Sequence, residues 1–350
     1  MKRLKNVAVI FGGCSPEYEV SLESAFAVLE NMDREKYNPV CIGISRQGDW
    51  FYFTGDIMKI KEDRWQEAGE CLPACLSQSR CDRCLYVFEE SNIVKLPLDG
   101  AFPVLHGKNG EDGTVQGLIE LAGIPLVGCG VLASALCMDK DRAHRLAAAA
   151  GVAVPRSFAV EKSTPKQAVV TFGEGTGYPL FVKPVRAGSS FGVSKVSDRE
   201  ALLKAVEQAF SYDDRVLVEE AVEGFEVGCA VMGRDRLKTG EVDEIELSGG
   251  FFDYTEKYTL KTSAIYVPAR ISPGKSHEIK ETAKRIYKSL DCKGFARVDM
   301  FLTPQGRIVF NEVNTIPGFT QHSRFPGMMK AAGLSFKEML DQILEEAVET

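Results

Sequence analysis

Nowhere in its 350 residues does the chain carry the pattern Gly-x-x-x-x-Gly-Lys-Ser/Thr, which excludes the loop with which P-loop proteins cradle phosphates. No apolar run reaches the roughly 20 residues that a membrane span requires. Met1-Lys-Arg-Leu-Lys5 leads directly into a strand-like segment instead of the apolar stretch of a signal peptide, which points to a cytoplasmic protein. Surplus positive charge is lacking too. Against 42 Lys and Arg stand 49 Asp and Glu, and the net charge of -7 disfavours nonspecific nucleic-acid binding. Gly128-Cys-Gly-Val-Leu-Ala133, after the short strand Pro125-Leu-Val127, imitates a dinucleotide fingerprint. No second strand closing on an acidic residue follows at the expected distance, so a nicotinamide site is disfavoured.

What is present suits a soluble globular protein, with 45% of residues hydrophobic and 26% charged. The length allows two or three domains with cores of their own. Of the ten cysteines, Cys14, Cys41, Cys129, Cys137, Cys229 and Cys292 stand singly and read as reduced thiols in or near the core. Cys71-x3-Cys75-x5-Cys81-x2-Cys84 is different. Its four thiols lie in one short segment and could close around Zn²⁺, the competing reading being reduced thiols that flank a loop or strand.

The stretch richest in chemistry is Phe295 to Pro326. Phe295-Ala-Arg-Val-Asp-Met-Phe-Leu302 and Arg307-Ile-Val-Phe-Asn-Glu-Val-Asn314 read as β-strands, and Thr303-Pro-Gln-Gly306 between them suits a type I turn. If Leu302 pairs with Arg307, Arg297 lies opposite Glu312 and Asp299 opposite Phe310. Period-two alternation then puts Arg297, Asp299, Glu312 and Asn314 on one face. Hard oxygen ligands beside an arginine suit Mg²⁺ carrying a polyphosphate, whereas an isolated charged hairpin would be a solvated surface.

Other segments offer the remaining parts of a nucleotide site. Tyr178-Pro-Leu-Phe-Val-Lys-Pro184 and Val193-Ser-Lys-Val196 read as strands joined by Arg186-Ala-Gly-Ser-Ser-Phe-Gly192. Such a loop can wrap phosphates with backbone N–H groups and the hydroxyls of Ser189 and Ser190, while Lys183 adds charge. Gly12-Gly-Cys-Ser-Pro-Glu-Tyr-Glu-Val-Ser21 joins the buried strand Asn6–Phe11 to a helix over Glu19–Leu29, making an anion-friendly corner. Phe102-Pro-Val-Leu-His-Gly-Lys-Asn-Gly-Glu-Asp-Gly113 is a strand entering a glycine-rich loop that precedes a helix over Thr114–Leu121. A single helix is expected from Ser134 to Ala150, with Met138-Asp-Lys140 near its start, and further helices over Ser276–Leu290 and Phe336–Val348. The segment between Ile44 and Asp99 reads as irregular.

These motifs, and above all Asn311-Glu-Val-Asn-Thr-Ile-Pro-Gly-Phe-Thr-Gln-His-Ser-Arg324, resemble those of D-alanine:D-alanine ligases and their Van-type relatives, members of the ATP-grasp superfamily. The likeness runs over nearly the whole chain in the expected order. It implies an α/β (α+β) architecture, the ATP-grasp fold with an N-terminal Rossmann-like domain. The expected domains are 1–127 for substrate, 128–220 for the central part, and 221–350 for the C-terminal part with the Mg²⁺ face and a lid. By resemblance Glu17 grips the ammonium of the first D-amino acid, His106 belongs to the active site, and Lys140 and Lys183 meet phosphate. Glu219, Glu220, Ala221 and Val222 form the hinge strand at adenine, with Glu226 at the ribose. Two Mg²⁺, for which Mn²⁺ can substitute, fall to Asp299, Glu312 and Asn314, with Asn311 beside the nucleotide and Arg297 at the oxyanion. Gly318 and Lys257 join the catalytic set, and Ser189, Glu17 and Tyr258 form one network.

The expected activity is an ATP-dependent ligase acting through D-alanyl phosphate, working as a homodimer on precursors of peptidoglycan with altered termini, as in vancomycin resistance. The rivals are a housekeeping D-alanine:D-alanine ligase, a D-alanine:D-lactate ligase, and a nucleotide-binding sensor without chemistry. Glu256-Lys-Tyr258 lacks the His that lactate-using relatives carry near this point. Ser323-Arg324-Phe-Pro326 resembles the Van-type enzymes, housekeeping ligases having an apolar residue where Arg324 stands. An Arg at the acceptor pocket offers donors that a hydroxymethyl group can use and a methyl group cannot, a pair worth roughly 1.5–3 kcal/mol. D-serine is therefore the expected acceptor, with Phe252 as a second wall of its pocket.

Overall fold

A continuous apolar strand suits the centre of a sheet covered on both faces, and Lys5–Gly12 (β1) is such a strand. The computed structural model describes residues 3–67, 69–188, 191–247 and 263–349. β1 pairs in parallel with Tyr37–Ile44 (β2) and Gly100–Pro103 (β7). Alternation divides its side chains between two cores. Val7, Val9 and Phe11 meet Leu22, Val28 and Leu29 of helix α1 (Tyr18–Asn31), while Ala8 and Ile10 join Val115 and Ile119 of α3 (Thr114–Leu121). Between β2 and β7 the chain adds Trp50–Phe53 (β3), the short helix Met58–Lys61 (α2), Cys71–Leu76 (β4), Cys84–Phe88 (β5) and Ile93–Pro97 (β6). The strands stand in the order β6-β5-β4-β3-β2-β1-β7, so the segment expected to be irregular is an antiparallel meander.

That meander favours the reading of reduced thiols flanking strands over zinc. Cys71 and Cys75 lie four residues apart on one strand, a separation of about 13 Å at ~3.3 Å per residue, whereas a shared zinc draws each sulfur to about 2.3 Å from the metal. Cys71 donates to the Trp65 carbonyl at 2.9 Å, Cys84 is buried, and Cys75 and Cys81 are exposed. Among the described residues no group of three or more His, Cys, Asp or Glu is placed to hold a metal.

A second sheet is built from Ser157–Glu161 (β8), Leu180–Pro184 (β9), Ser194–Val196 (β10) and Arg215–Glu220 (β11), in the antiparallel order β10-β9-β11-β8. Leu180, Val182, Val216 and Val218 bury one face against Lys166–Thr176 (α6) and Arg199–Ala209 (α7). Phe181, Lys183, Leu217 and Glu219 therefore share the other face. Before this sheet, the single helix expected from Ser134 to Ala150 is two helices, Val131–Met138 (α4) and Lys140–Ala149 (α5). Asp139 takes extended dihedrals between them and caps α5 by accepting from the Arg142 amide at 3.0 Å. Asp and Asn break helices in this way because their side chains replace the missing backbone acceptor.

The third sheet has the order β15-β14-β12-β16-β17. Its strands are Phe225–Met232 (β12), Asp243–Leu247 (β14), Ser263–Tyr266 (β15), Phe295–Leu302 (β16) and Ile308–Asn314 (β17), with Lys238–Thr239 (β13) added to β12. Ala296, Val298, Met300 and Leu302 face Ile279, Ala283 and Ile286 of α8 (Pro273–Ser289), so Arg297 and Asp299 face the opposite way. The β16–β17 register differs from the expected one. Arg297 lies opposite Asn314 and Asp299 opposite Glu312, then a bulge leaves Asn311 without an opposite residue before Met300 meets Phe310. The extra residue lets Phe310 enter the core while Glu312 and Asn314 keep the face of Arg297 and Asp299. Helices α9 (Arg324–Ala331) and α10 (Phe336–Val348) follow. Phe319, between β17 and α9, sits among Phe102, Phe295 and Phe325 with ring centroids 5.6, 5.1 and 5.7 Å away, joining the first sheet to the third. No helix of the described residues is long and apolar enough to cross a membrane.

Candidate active site

The polar face of the second sheet and that of the third enclose a cavity of about 340 Å³ lined by Lys140, Lys183, Glu219, Glu226, Asp299 and Glu312. Glu220, Ala221, Val222 and Asn311 line it as well. Strand β11 ends at Glu220, so Ala221 and Val222 lie just beyond the hinge strand. Glu220 accepts from the Arg156 amide at 3.1 Å. Lys183 forms a close ion pair with buried Glu219 and reaches the Asn311 amide oxygen at 3.4 Å. Lys140, first residue of α5, donates to the Ala187 carbonyl at 2.8 Å and stands 3.7 Å from Glu312. Two lysines and a run of backbone around such a space suit a polyphosphate and its base.

A larger cavity of about 690 Å³ is lined by Glu17, His106, Asn314, Gly318, Ser323 and the two arginines Arg297 and Arg324, which also line the first. Glu17 is the N-cap residue of α1 and 8% exposed. His106 approaches the Ile316 carbonyl through Nδ1 at 3.0 Å and Ser24 Oγ through Nε2 at 3.4 Å. A carbonyl only accepts, so Nδ1 carries the hydrogen. The Glu111 carboxylate joins the same two loops, accepting from the Gly107 and Ile316 amides at 2.8 and 3.3 Å. A Cβ at Gly318 would lie 2.8 Å from Ser323 Oγ, which itself accepts from the Thr320 amide at 3.1 Å. This tight turn brings the chain from Asn314 to the start of α9.

Between the cavities lies a buried charge cluster. Arg297 holds Asp299 through Nε (2.9 and 3.0 Å) and Nη2 (2.7 Å), and Asn314 Nδ2 donates to Asp299 at 2.9 Å. Arg324 grips Asp243 in a fork, Nε at 2.7 Å and Nη2 at 2.9 Å, and gives Nη1 to Glu226 at 2.7 Å, with Nη2 also 3.3 Å from Asp299. Arg324 was expected to offer its donors to an acceptor; in the structure three of the five N–H groups of a guanidinium are hydrogen-bonded to Asp243 and Glu226. Burial pushes the Glu226 carboxyl above its ordinary range, against the pull of Arg324. Gly228 makes room for the fork, since a Cβ there would meet Arg324 Nη2 at 2.4 Å and Asp243 Oδ1 at 2.6 Å.

Asp299, Glu312 and Asn314 fit a magnesium ion by their chemistry. Two carboxylates directly opposite in a β-ladder repel one another, and an amide oxygen beside them completes a set of hard donors suited to Mg²⁺. Ser189, Ser190, Phe252, Lys257 and Tyr258 lie outside the described residues, as does the network proposed for the two hydroxyls.

Two polar side chains at the site were missed in the sequence. Asp243 opens β14 with no motif around it, and only its pairing with Gly228 of β12 brings it to Arg324. His144 had a readable signal, since it stands four residues after Lys140 and so on the same face of α5. Its Nε2 donates to the Asn311 carbonyl at 2.8 Å, and burial holds its basicity below that of an ordinary histidine.

Residues 6–129 match the family model described as D-ala D-ala ligase N-terminus, and residues 146–345 the model described as D-ala D-ala ligase C-terminus. The chain is 46% identical over 355 residues to the vancomycin B-type resistance protein VanB of Enterococcus faecalis, covering all of both chains. It is 43% identical to the D-alanine–D-alanine ligase of Caldicellulosiruptor bescii, covering all of this chain and 96% of that one. Among solved structures, the VanG D-Ala:D-Ser ligase from Enterococcus faecalis is 55% identical and superposes with a TM-score of 0.92 over 99% of this chain and 100% of its own. The three sheets are thus an ATP-grasp fold, as the sequence led one to expect.

Proposed function

Because the chain belongs to the D-alanine–D-alanine ligase family, we propose that it joins D-alanine to D-serine with cleavage of ATP. The carboxylate of D-alanine attacks the γ-phosphorus, the bond to ADP breaks, and D-alanyl phosphate forms. The amine of D-serine, having given up a proton, then attacks the acyl carbon and inorganic phosphate leaves. Lys140 and Lys183 orient the phosphates, Glu17 takes the ammonium of the first D-alanine, and Arg297 steadies the oxyanion of the acyl centre. Asp299, Glu312 and Asn314 would hold Mg²⁺, which would neutralise phosphate charge. His106, with its hydrogen committed to Ile316, holds the loop that carries Gly318.

The observation that carries the choice of D-serine is the Arg324–Asp243 fork on the wall of the larger cavity. The fork holds the guanidinium still, and the N–H groups left over from its three hydrogen bonds, beside Ser323, favour an acceptor with a hydroxymethyl group over one with a methyl. The similarity to VanG, named a D-Ala:D-Ser ligase, and to VanB, named for vancomycin resistance, supports the same reading and a role in peptidoglycan precursors with altered termini. The test is competition. With D-alanine and D-serine supplied equally as acceptors, the parent should form mainly D-alanyl-D-serine, and a product dominated by D-alanyl-D-alanine would overturn the assignment. Arg324→Met alone leaves buried Asp243 and Glu226 without their counter-charge, a cost of about 3–5 kcal/mol. The informative variant is therefore the pair Asp243→Asn with Arg324→Met, in which Glu226, already held above its ordinary range by burial, can take up a proton; its product ratio should move toward D-alanine.

A further inference from the structure

A β-bulge frees one backbone carbonyl from its ladder, and a buried carbonyl needs a donor from elsewhere. At the bulge of β17 the carbonyl is that of Asn311, and its donor is the Nε2–H of His144 at 2.8 Å. The imidazole also packs edge-on against Phe310, with ring centroids 5.5 Å apart. His144 thus touches the bulge from both sides, through the ring of the residue that dives into the core and through the carbonyl of the next. Its own Nδ1 faces Glu219 Oε2 across 4.0 Å, and neither atom has a hydrogen-bond partner among the described residues. The hydrogen donated to Asn311 is therefore the bond by which the ring acts on the site.

We propose that His144 is a positioning residue for the nucleotide and metal site, fixing the Asn311 bulge and thereby the direction in which Asn311 and Glu312 present their side chains. The inference rests on the ligase reading. One face of α5 then does two tasks: Lys140 stands beside Glu312, and one turn later His144 sets the backbone that aims it. Asn311 is held from the other side as well, its amide oxygen within 3.4 Å of Lys183. Loss of the His144 hydrogen bond lets the carbonyl turn, and the carboxylate one residue on turns with it. Groups that orient a metal ligand in this way are commonly worth about 10–100-fold in metal affinity or activity.

The test compares His144→Gln, whose amide can still donate to the Asn311 carbonyl, with His144→Met, which fills the space without a donor. Binding of Mn²⁺ with ADP is followed by electron paramagnetic resonance, and KM values for ATP and for D-alanine are measured alongside. His144→Met should weaken Mn²⁺–ADP binding and raise the KM for ATP by about tenfold or more with the KM for D-alanine unchanged. His144→Gln should recover most of the loss. Mn²⁺–ADP binding by His144→Met equal to the parent's, or equal impairment of both variants, overturns the proposal. If His144→Met fails to fold, the long-range ¹H–¹⁵N NMR spectrum of the parent decides: the ring must be the Nε2–H tautomer, and the Nδ1–H tautomer refutes the inference by itself. A parent that binds Mn²⁺–ADP but forms no dipeptide would instead count against the ligase reading.

Discussion

Burial keeps a proton off His144, and this gives stability a pH dependence of definite sign. The nearby Glu219 carboxylate opposes the shift, while Lys183 and Lys140 reinforce it. Unfolded, a histidine takes up its proton near pH 6.5; folded, this one does so only at lower pH. Between those values the unfolded chain holds more protons, so stability is full above about pH 7 and falls as acid passes through the unfolded value. Urea midpoints at pH 7.5, 6.5 and 5.5 should fall less steeply for His144→Gln than for the parent, and parallel curves would sink the expectation. At Glu312 the chemistry is more direct. Glu312→Gln keeps the shape but removes a charge facing Asp299, so phosphoryl transfer should drop by about a hundredfold or more with the melting temperature held. Turnover like the parent's at ordinary Mg²⁺ would refute the metal face. Gly228→Ala should cost about 1–3 kcal/mol through overpacking and raise the KM for the acceptor, because the added carbon meets the Arg324 guanidinium.

At the scale of elements, the break at Asp139 gives α5 its own start, and with it the placement of Lys140. Asp139 caps the helix and pairs with Arg142 and Arg215 at 2.6 and 3.1 Å. Asp139→Ala should lose about 1 kcal/mol for the cap alone and raise the KM for ATP, measured by denaturation and by kinetics; an unchanged KM would mean that the break does not position Lys140. This break was hidden in the sequence because Ala-rich flanks read as one helix. Where local chemistry decides, the sequence was legible: Ser335 and Glu338 form the capping box that opens α10, and the helix has the expected span. That Arg297, Asp299, Glu312 and Asn314 share one face was legible for the same reason, its parity being set by alternation along each strand. The register was not, since a bulge depends on what Phe310 and His144 find in the folded core. Nor was the meander of β3 to β6, whose strands are four to six residues long and broken by Pro and Cys, nor Asp243, brought to Arg324 only by pairing across the sheet.

For the whole molecule, the three phenylalanines around Phe319 tie the first sheet to the third, and the larger cavity lies beside that joint, one residue away at Gly318. Phe319→Ala should destabilise the protein by about 3–5 kcal/mol and weaken D-alanine binding along with it. Stability lost without any change in that binding would show the joint to be separate from the site. The shared aromatic joint also bears on how the chain divides. Residues 1–127 produced alone would expose Phe102 and Val127, which the intact protein buries against Phe295 and Phe319. Synthesised as two polypeptides cut at that boundary, neither half should persist by itself, yet the pair made together should find each other and restore ligation, each half acting as the other's missing core.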